Sequence, residues 1–291
     1  MLQSTEQASP VVDIVDQAIA ATYGRNGLTK LDQLSEEHPD WSLEERIKRL
    51  GEQVVNTQTN FFREPNVRSI ASKLFPLLLW GKPGQTVRIL EVGCSSGEES
   101  YSLASAILSE GYTAFEIAAT DVNPQCLEFA RKAEYELAES LERFTESSWR
   151  MPPELVKAGY FEATGKTWQR GRWTEPLVII RPSDEVKQKI TFAQHDIING
   201  PYDKDHDLAV VNNVLMHYPD ATRDAIMKNV KKSLRPGGFI ALEGQLIGMD
   251  RAERTWLEPY NNWRQSLAQR HELQPVQPSG TFRSSEPYYR I

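Results

Sequence analysis

The sequence contains few cysteines and no long hydrophobic run, and these two features argue against several classes of protein. Its 291 residues include only Cys94 and Cys126, too few for a disulfide framework or a structural zinc site, and we expect no metal site. The longest apolar run, Leu74 to Trp80, is far shorter than the roughly 20 residues that span a bilayer. The N-terminus MLQSTEQASP lacks the basic and apolar regions of a signal peptide. We therefore expect a cytoplasmic protein without membrane insertion.

Blocks of charge, internal repeats and low-complexity tracts are also absent from the sequence. Lys and Arg number 33 against 40 Asp and Glu, which gives a net charge of −7 spread along the chain. A domain that binds nucleic acid usually carries a basic face, so we expect no nucleic-acid partner. The length suits one elaborated domain or two modest domains with a sizeable core.

The rest of the sequence is organised around the stretch from Val87 to Ala106. It opens with Val87–Val92, an apolar run typical of a buried strand in a parallel sheet. A turn bounded by glycines, Gly93–Gly97, follows. Glu98 and Glu99 then begin a helix, where the helix dipole favours acidic residues. A strand, a glycine turn and a helix in this order indicate the first unit of a nucleotide-binding α/β fold.

The spacing of the two glycines favours S-adenosylmethionine over a dinucleotide. A dinucleotide site has the pattern G-x-G-x-x-G, whereas this turn reads G-x-x-x-G and is followed by two carboxylates. Those carboxylates would repel a pyrophosphate, but they suit a ligand with an ammonium and a sulfonium group. The alternative is that they only support the helix start, an effect of about 0.3–1 kcal/mol that does not explain the glycines.

Three further predicted strands bring polar residues to the same edge of the sheet. Phe115–Thr120 ends at Asp121, which is placed to accept hydrogen bonds from ribose hydroxyls or to help Asn123 cap the next helix. Ile190–Gln194 and Asp207–Asn213 are the other two strands. Because ligands bind at the carboxyl ends of such strands, four residues are expected to meet there: Gly93, Asp121, Asp196 and Asn212.

The remaining pattern predicts two units. Residues 1–55 read as a helical subdomain, with helices over 10–23, 29–37 and from Ser42 to about Val55, the last beginning with a capping box. Residues 56–291 form the binding domain, and the unusually long connection at about 136–189 is an insertion with its own helices and strands. Further elements are expected: helices over 67–79, 222–234 and 251–269, a turn at 235–238, and strands over 239–243 and 285–291.

Four motifs together resemble the CheR-type methyltransferases, which esterify glutamate side chains of bacterial chemotaxis receptors with S-adenosylmethionine. The motifs are T-x-T-x-F-F-R-E at Thr57–Glu64, G-C-S-S-G-E-E-x-Y-S at Gly93–Ser102, A-T-D-V-N at Ala119–Asn123 and A-R-K-A-E-Y at Ala130–Tyr135. The resemblance covers roughly residues 30–245. It implies an α/β class I methyltransferase fold, Rossmann-like, with a mostly parallel seven-stranded sheet, a small N-terminal helical subdomain and an inserted β-containing subdomain.

The resemblance also implies cofactor-binding residues and the cofactor, S-adenosyl-L-methionine, with S-adenosyl-L-homocysteine as the product. Two residues are candidate catalytic residues on chemical grounds rather than from the resemblance: Arg63, which could hold an anionic acceptor, and His217, a possible general base. The family's cofactor contacts fall on Thr59, Arg63, Glu99, Asp121, Asp196 and the Val211–Asn212 pair. The full set of predicted cofactor contacts is Thr57, Thr59, Arg63, Gly93, Cys94, Glu99, Asp121, Val122, Asp196, Ile197, Asn212 and Asn213.

The sequence departs from the family pattern at the end of the fourth predicted strand. The family reads C-R-N-V-L-I-Y-F where this chain has V-N-N-V-L-M-H-Y over Val211–Tyr218. Asn212 therefore replaces an arginine, and His217 replaces the tyrosine expected beside the substrate. Tyr218 lies one position later and is expected to point elsewhere unless the loop shifts. Thr57 stands where the family usually has asparagine.

Two classes of methyl acceptor stay open, a protein carboxylate and a small molecule. A carboxylate is already ionised at neutral pH and needs no base, and Arg63 suits it as a bidentate partner. A neutral amine, phenol or hydroxyl would benefit from a general base, for which His217 has a suitable pKa, although His217 could equally pack against the cofactor. A third hypothesis, a regulatory module that only binds the cofactor, is disfavoured by the retained Arg63 and Glu99. The sequence does not indicate an oligomeric state.

Overall fold

The computed structural model describes residues 19, 28–43, 45–46, 49–50, 59–63, 66–80, 84–138, 153–168, 177–242, 257–276 and 288–291. Most of the helix expected over 10–23 lies outside these residues, as does Thr57. Residues 28–37 are helical as expected, and the Ser42 hydroxyl accepts the Glu45 amide at 3.1 Å, which is one half of the expected capping box. The division of the chain at residue 55 stays a prediction.

A mostly parallel seven-stranded sheet confirms the predicted fold class. The described strands share the β conformation and have these bounds: β1 (Val87–Val92), β2 (Phe115–Asp121), β3 (Tyr135–Ala138), β4 (Phe161–Trp168), β5 (Leu177–Pro182), β6 (Ile190–Gln194), β7 (His206–Val211), β8 (Leu234–Leu242), β9 (Gln274–Pro275) and β10 (Tyr288–Arg290). The order in the main sheet is β6-β2-β1-β7-β8-β10-β9, with β10 antiparallel to both of its neighbours. From β1 the strand order runs one way through β2 to β6, and from β7 it runs the other way through β8. The position between β1 and β7 is therefore the topological switch point, where open α/β sheets bind ligands.

The helices with defined bounds are α1 (Asn66–Ser69), α2 (Phe75–Leu79), α3 (Glu98–Ser109), α4 (Pro124–Lys132), α5 (Pro153–Lys157), α6 (Asp184–Lys187), α7 (Asp220–Ser233) and α8 (Leu257–Arg270). Asn123 caps α4, because its side chain accepts the amides of Gln125 and Cys126, as the sequence predicts.

Side chains of the main sheet bury both of its faces. Along β1, Ile89 packs into a core with α1–α3, whereas Leu90 and Val92 pack into a second core with α7 and α8. This alternation follows from the period of two residues along a strand, and it places the sheet between two layers of helices. A separate small cluster contains Leu31, Leu34 and Leu50 from the N-terminal part.

The long connection contains a three-stranded antiparallel sheet in the order β3-β5-β4. This sheet packs against the main body through aromatic rings. Phe61 makes edge contacts with Tyr135 at 4.8 Å and with Phe161 at 5.4 Å between ring centroids. Phe61 and Phe62 are both buried, so the paired aromatics anchor the segment that carries Arg63.

Two predicted elements differ from the structure. The helix expected over 67–79 contains a π-helical turn, Ile70–Leu74, which ends two residues before Pro76, a residue with no amide hydrogen to donate. The turn expected at 235–238 instead lies within β8. His206 pairs with Leu234 and Leu208 with Phe239, so the extra residues form a bulge in a continuous strand.

Among the described residues, none of the helices is both long and apolar enough to cross a bilayer.

Candidate cofactor-binding and active site

The glycine turn between β1 and α3 needs glycine for two physical reasons. Gly93 and Gly97 have φ values of 77° and 90°, in the left-handed region that side chains rarely adopt. A Cβ on Gly93 would lie 2.5 Å from Val214 Cγ2, and one on Gly97 would lie 2.9 Å from Ala130 Cβ. The turn therefore lies close to the chain after β7 and to α4, which brings two neighbouring elements toward one pocket.

Asp121 holds the glycine turn against the end of β2. Its Oδ2 accepts the amide of Ser95 at 2.8 Å, and its Oδ1 accepts the amide of Asn123 at 2.8 Å. Burial raises the pKa of this carboxyl, whereas the backbone hydrogen bonds lower it. Asp121 thus orders the turn, and the second lone pair of each carboxylate oxygen is the kind of acceptor that a ribose hydroxyl needs.

Glu99, in the first turn of α3, belongs to a buried polar network. The amide group of Asn212 donates to Glu99 Oε1 at 2.5 Å. Asn212 also exchanges hydrogen bonds with Asn66. Glu98, in contrast, accepts the Ser96 hydroxyl at 2.6 Å and does not line the pocket. Of the two carboxylates at this helix start, only Glu99 lines the pocket.

The pocket lies at the carboxyl edge of the sheet, where open α/β folds bind ligands. Its lining contains eleven of the predicted cofactor contacts: Thr59, Arg63, Gly93, Cys94, Glu99, Asp121, Val122, Asp196, Ile197, Asn212 and Asn213. The four strand ends therefore meet as the sequence predicts.

Sequence reasoning missed other residues of the lining: Val92, Ser95, His195, Ile198, Val214, Tyr218 and Ile226. Ser95, His195 and Ile198 are each next in sequence to a residue predicted for the site, so sequence position alone could have indicated them. Ile226 lies in the middle of α7, and only the packing of that helix brings it to the pocket.

The chain after β7 corrects one expectation. Tyr218, expected to point elsewhere, is buried and lines the pocket, whereas His217 is outside the lining. A short 3-10 turn covers Leu215–His217, and the Tyr218 amide bonds back to the Leu215 carbonyl at 3.1 Å. After this turn the side chain of Tyr218, rather than that of His217, lines the pocket.

His217 nevertheless lies near Arg63. Burial is the larger cause that lowers the pKa of His217, and the positive charge of Arg63 lowers it further. A hydrogen bond with the backbone of Asn213 opposes both effects. The imidazole is therefore neutral at pH 7, next to the guanidinium at the edge of the pocket.

Three of the seven described non-glycine residues with a positive φ lie at or beside the pocket. Phe62, Ser95 and Asn213 have φ values of 51°, 50° and 56°, and each directly precedes, lines or follows a residue of the pocket. Non-glycine residues in this region cost of order 1–3 kcal/mol and cluster at functional sites. The other four, Ala133, Asp203, Asp205 and Glu272, lie outside the lining, so a positive φ by itself does not mark the site.

Comparison with known proteins identifies the family to which this sequence is similar. The family model for the CheR methyltransferase S-adenosylmethionine-binding domain matches residues 57–248. A chemotaxis protein methyltransferase of Listeria innocua is 32% identical over 63% of this chain and 63% of its own length. Chemotaxis protein methyltransferase 1 of Pseudomonas aeruginosa is 26% identical over 74% of this chain and 78% of its own.

Matches to solved structures are weaker. An S-adenosyl-L-methionine-dependent methyltransferase from Methanococcus maripaludis has a TM-score of 0.39 and 14% identity, over 78% of this chain and 89% of its own. The curated relatives carry more weight, and this chain matches somewhat less than two thirds of the Listeria protein. The family model spans well over half of the chain, so the protein belongs to the CheR methyltransferase family, whose cofactor is S-adenosylmethionine.

Proposed function

We propose that this protein transfers the methyl group of S-adenosylmethionine to a glutamate carboxylate of another protein. The carrying observation is the pocket itself, in which Arg63 lies among the acidic and amide side chains at the strand ends. Relatives named chemotaxis protein methyltransferases support a protein as the acceptor, and the resemblance implies glutamate. A cytoplasmic location and the oligomeric state stay open to direct measurement.

The residues of the pocket fit this cofactor. Glu99 offers a carboxylate to a positive group, and Asp121 offers acceptors to ribose hydroxyls. Gly93 lets Val214 pack against the turn, because a Cβ at this position would lie 2.5 Å from Val214 Cγ2. A dinucleotide would place a pyrophosphate near Glu99, where the two negative charges would repel each other.

Arg63 is the residue that we assign to the acceptor. Its backbone is fixed, because the Arg63 amide bonds to the Asn60 carbonyl at 3.3 Å and the preceding Phe62 amide bonds to the Ser102 hydroxyl at 2.9 Å. A guanidinium binds a carboxylate through two parallel hydrogen bonds, which also fixes the direction of its oxygens. Such orientation is worth about 7–11 kcal/mol when the geometry is near attack.

The transfer itself needs little proton chemistry. The cofactor supplies a methyl group attached to a positively charged sulfur. Arg63 would hold the carboxylate with one oxygen toward that methyl carbon, and the electron pair of the carbon–sulfur bond that breaks would stay on sulfur. No proton moves, because the acceptor is ionised at neutral pH.

A small-molecule acceptor with a neutral nitrogen or hydroxyl is the second candidate. It is favoured by the neutral state of His217 beside Arg63, since a neutral imidazole can accept a proton from such an acceptor. His217 lies outside the pocket lining, however, which favours the carboxylate.

The chemical stability of the product distinguishes the two candidates. The protein is incubated with S-adenosylmethionine carrying a radioactive methyl group and with an extract of its native host. Methyl esters release volatile methanol in mild alkali, whereas most N- and C-methyl products do not. We expect methanol from the protein fraction, and a base-stable small product would favour the second candidate.

A substitution of Arg63 tests its role in that assay. Arg63→Lys keeps the positive charge but removes the planar fork, so we expect ester formation to fall by at least about tenfold, since charged hydrogen bonds are worth about 1.5–3 kcal/mol. Binding of S-adenosylhomocysteine, measured by calorimetry, separates loss of the acceptor contact from loss of the cofactor. Unchanged turnover would limit Arg63 to a structural role.

A further inference from the structure

A hydrogen-bonded chain of three buried side chains joins distant parts of the sequence beside the pocket. Asn66 begins α1, Asn212 follows β7, and Glu99 lies in the first turn of α3. Their exposed fractions are 5%, 6% and 8%. Glu99 and Asn212 line the pocket, whereas Asn66 lies behind them and does not.

The hydrogen bonds determine which way each amide points. Glu99 accepts from Asn212 Nδ2, and an ionised carboxylate can only accept. Asn212 must therefore turn its amino group toward Glu99. Its second amino hydrogen goes to Asn66 Oδ1 at 3.2 Å, and its carbonyl oxygen accepts from Asn66 Nδ2 at 2.7 Å. Asn66 is thus both the donor and the acceptor that this orientation of Asn212 requires.

We propose that Asn66 is a positioning residue for the cofactor, acting through Asn212 on the carboxylate of Glu99. The proposal rests on the proposed function, because Glu99 must face a positively charged group of the cofactor. Asn66 locks the amide of Asn212 in the one orientation that donates to Glu99. The carboxylate is then held in a fixed direction before the ligand arrives.

The rest of α1 is anchored independently of this side chain. The Asn66 carbonyl accepts the Tyr288 hydroxyl at 3.3 Å, and Val67 and Ile70 are completely buried in the core. Removing the amide therefore changes the network without removing the contacts that fix the helix. The effect of the Asn66 side chain can therefore be measured separately from the stability of the helix.

The first experiment compares cofactor affinity in three proteins. Calorimetry with S-adenosylhomocysteine is done on the wild type, Asn66→Leu and Tyr288→Phe, with circular dichroism to verify folding. We expect Asn66→Leu to bind about tenfold more weakly, because the buried amide of Asn212 loses its partners. Tyr288→Phe removes the hydroxyl that reaches the Asn66 backbone, and it is expected to keep affinity within about twofold while thermal stability falls.

The second experiment uses pH as a readout that a purely structural role would not change. Asn66→Asp removes the donor to Asn212 and adds a negative charge near Glu99, so affinity falls at pH 8. Protonation of the new carboxyl restores a donor. We therefore expect its affinity, relative to the wild type, to recover as the pH falls, whereas Asn66→Leu shows no recovery.

The outcomes separate this proposal from the proposed function. A wild type that does not bind S-adenosylhomocysteine at millimolar concentration overturns the proposed function and this role together. Wild-type binding with unchanged affinity in Asn66→Leu overturns only the role of Asn66. Equal weakening in Asn66→Leu and Tyr288→Phe, or no pH-dependent recovery in Asn66→Asp, would also overturn it, because the effect would then come from the helix rather than the amide.

Discussion

At Gly93 and Gly97 the absence of a side chain lets a neighbouring side chain approach the glycine turn closely. Both have a positive φ, but the space around them differs from that at other glycines in the chain. A Cβ at Gly93 or Gly97 meets a neighbouring side chain within 3 Å, whereas a Cβ at Gly111, which also has a positive φ, meets nothing within 4 Å. This difference separates backbone strain from the close approach that shapes the site.

The glycines therefore allow a matched substitution. Gly111→Ala measures strain alone, and we expect a loss of about 1–2 kcal/mol in the free energy of unfolding. Gly93→Ala adds a clash with the stiff Val214 side chain, and we expect a larger loss of stability and loss of S-adenosylhomocysteine binding. Denaturant unfolding and calorimetry check both. Equal effects of the two substitutions would show that the close contact is unimportant.

His217 gives a second prediction at the residue scale. With a carboxylate acceptor it has no proton to remove, so His217→Tyr, which introduces the family's residue, should keep or improve activity. With a neutral acceptor that variant should be severely impaired. Because the pKa of His217 is lowered below 6.5, the wild-type rate would then fall only below that pH as the imidazole becomes protonated.

The discriminating measurement is therefore a rate profile between about pH 5 and 6.5, below the usual histidine pKa. A glutamate acceptor, with an unperturbed pKa of about 4.3, stays mostly ionised there, and we expect a nearly flat profile. A steep fall in rate together with an inactive His217→Tyr variant would favour the small-molecule acceptor.

At the scale of elements, the 3-10 turn after β7 is held by α7 and α8. Arg223, in α7, donates through Nε to the Leu215 carbonyl at 2.9 Å and through Nη1 to Asp220 at 2.9 Å. Its guanidinium lies 4.4 Å from the ring centroid of Trp263 in α8. One side chain thus connects two helices with the turn that carries His217 and precedes Tyr218.

We expect Arg223→Gln to loosen this turn and to weaken S-adenosylhomocysteine binding several-fold. The turn is flanked by Val214 and Tyr218, which both line the pocket, and hydrogen bonds to charged groups are worth about 1.5–3 kcal/mol. Arg270→Gln is the control, because Arg270 pairs with Asp224 on the surface. Calorimetry should show unchanged affinity in the control, and equal affinities in both variants would contradict the proposed link.

At the scale of the whole molecule, burial of a carboxyl beneath the site affects stability. Glu91, in the central strand β1, is 2% exposed. Burial is the main cause that raises its pKa to about 7, the negative charge of Asp121 raises it further, and the Ser100 hydroxyl opposes the shift. The folded protein therefore holds a proton on Glu91 more tightly than the unfolded chain does.

This raised pKa determines a direction of pH dependence. The contribution of Glu91 is fully favourable below its unfolded pKa of 4.5 and is lost as the pH rises toward about 7. Glu91→Gln removes that loss, so the stability of the variant relative to the wild type should increase over this interval by roughly 1–3 kcal/mol. Urea unfolding at several pH values measures it. The same change at the exposed Glu116 should show no such increase.

The sequence by itself determined the elements whose signals are local. The apolar run of β1, the glycines after it and the Asn123 cap of α4 each depend on a few neighbouring residues, and each was found where predicted. The strand ends that carry Gly93, Asp121, Asp196 and Asn212 meet in one pocket, because parallel strands of one sheet end at the same edge.

The tertiary structure decided the contacts that join distant residues. Asn66 and Asn212 are 146 positions apart, and no periodicity links them. Likewise, Tyr218 rather than His217 lines the pocket. The directions of these side chains depend on the 3-10 turn, which a hydrogen bond from Arg223 holds in place. Local pattern specifies where the chain forms strands and helices, whereas side-chain direction at the site depends on packing between elements that the sequence does not place together.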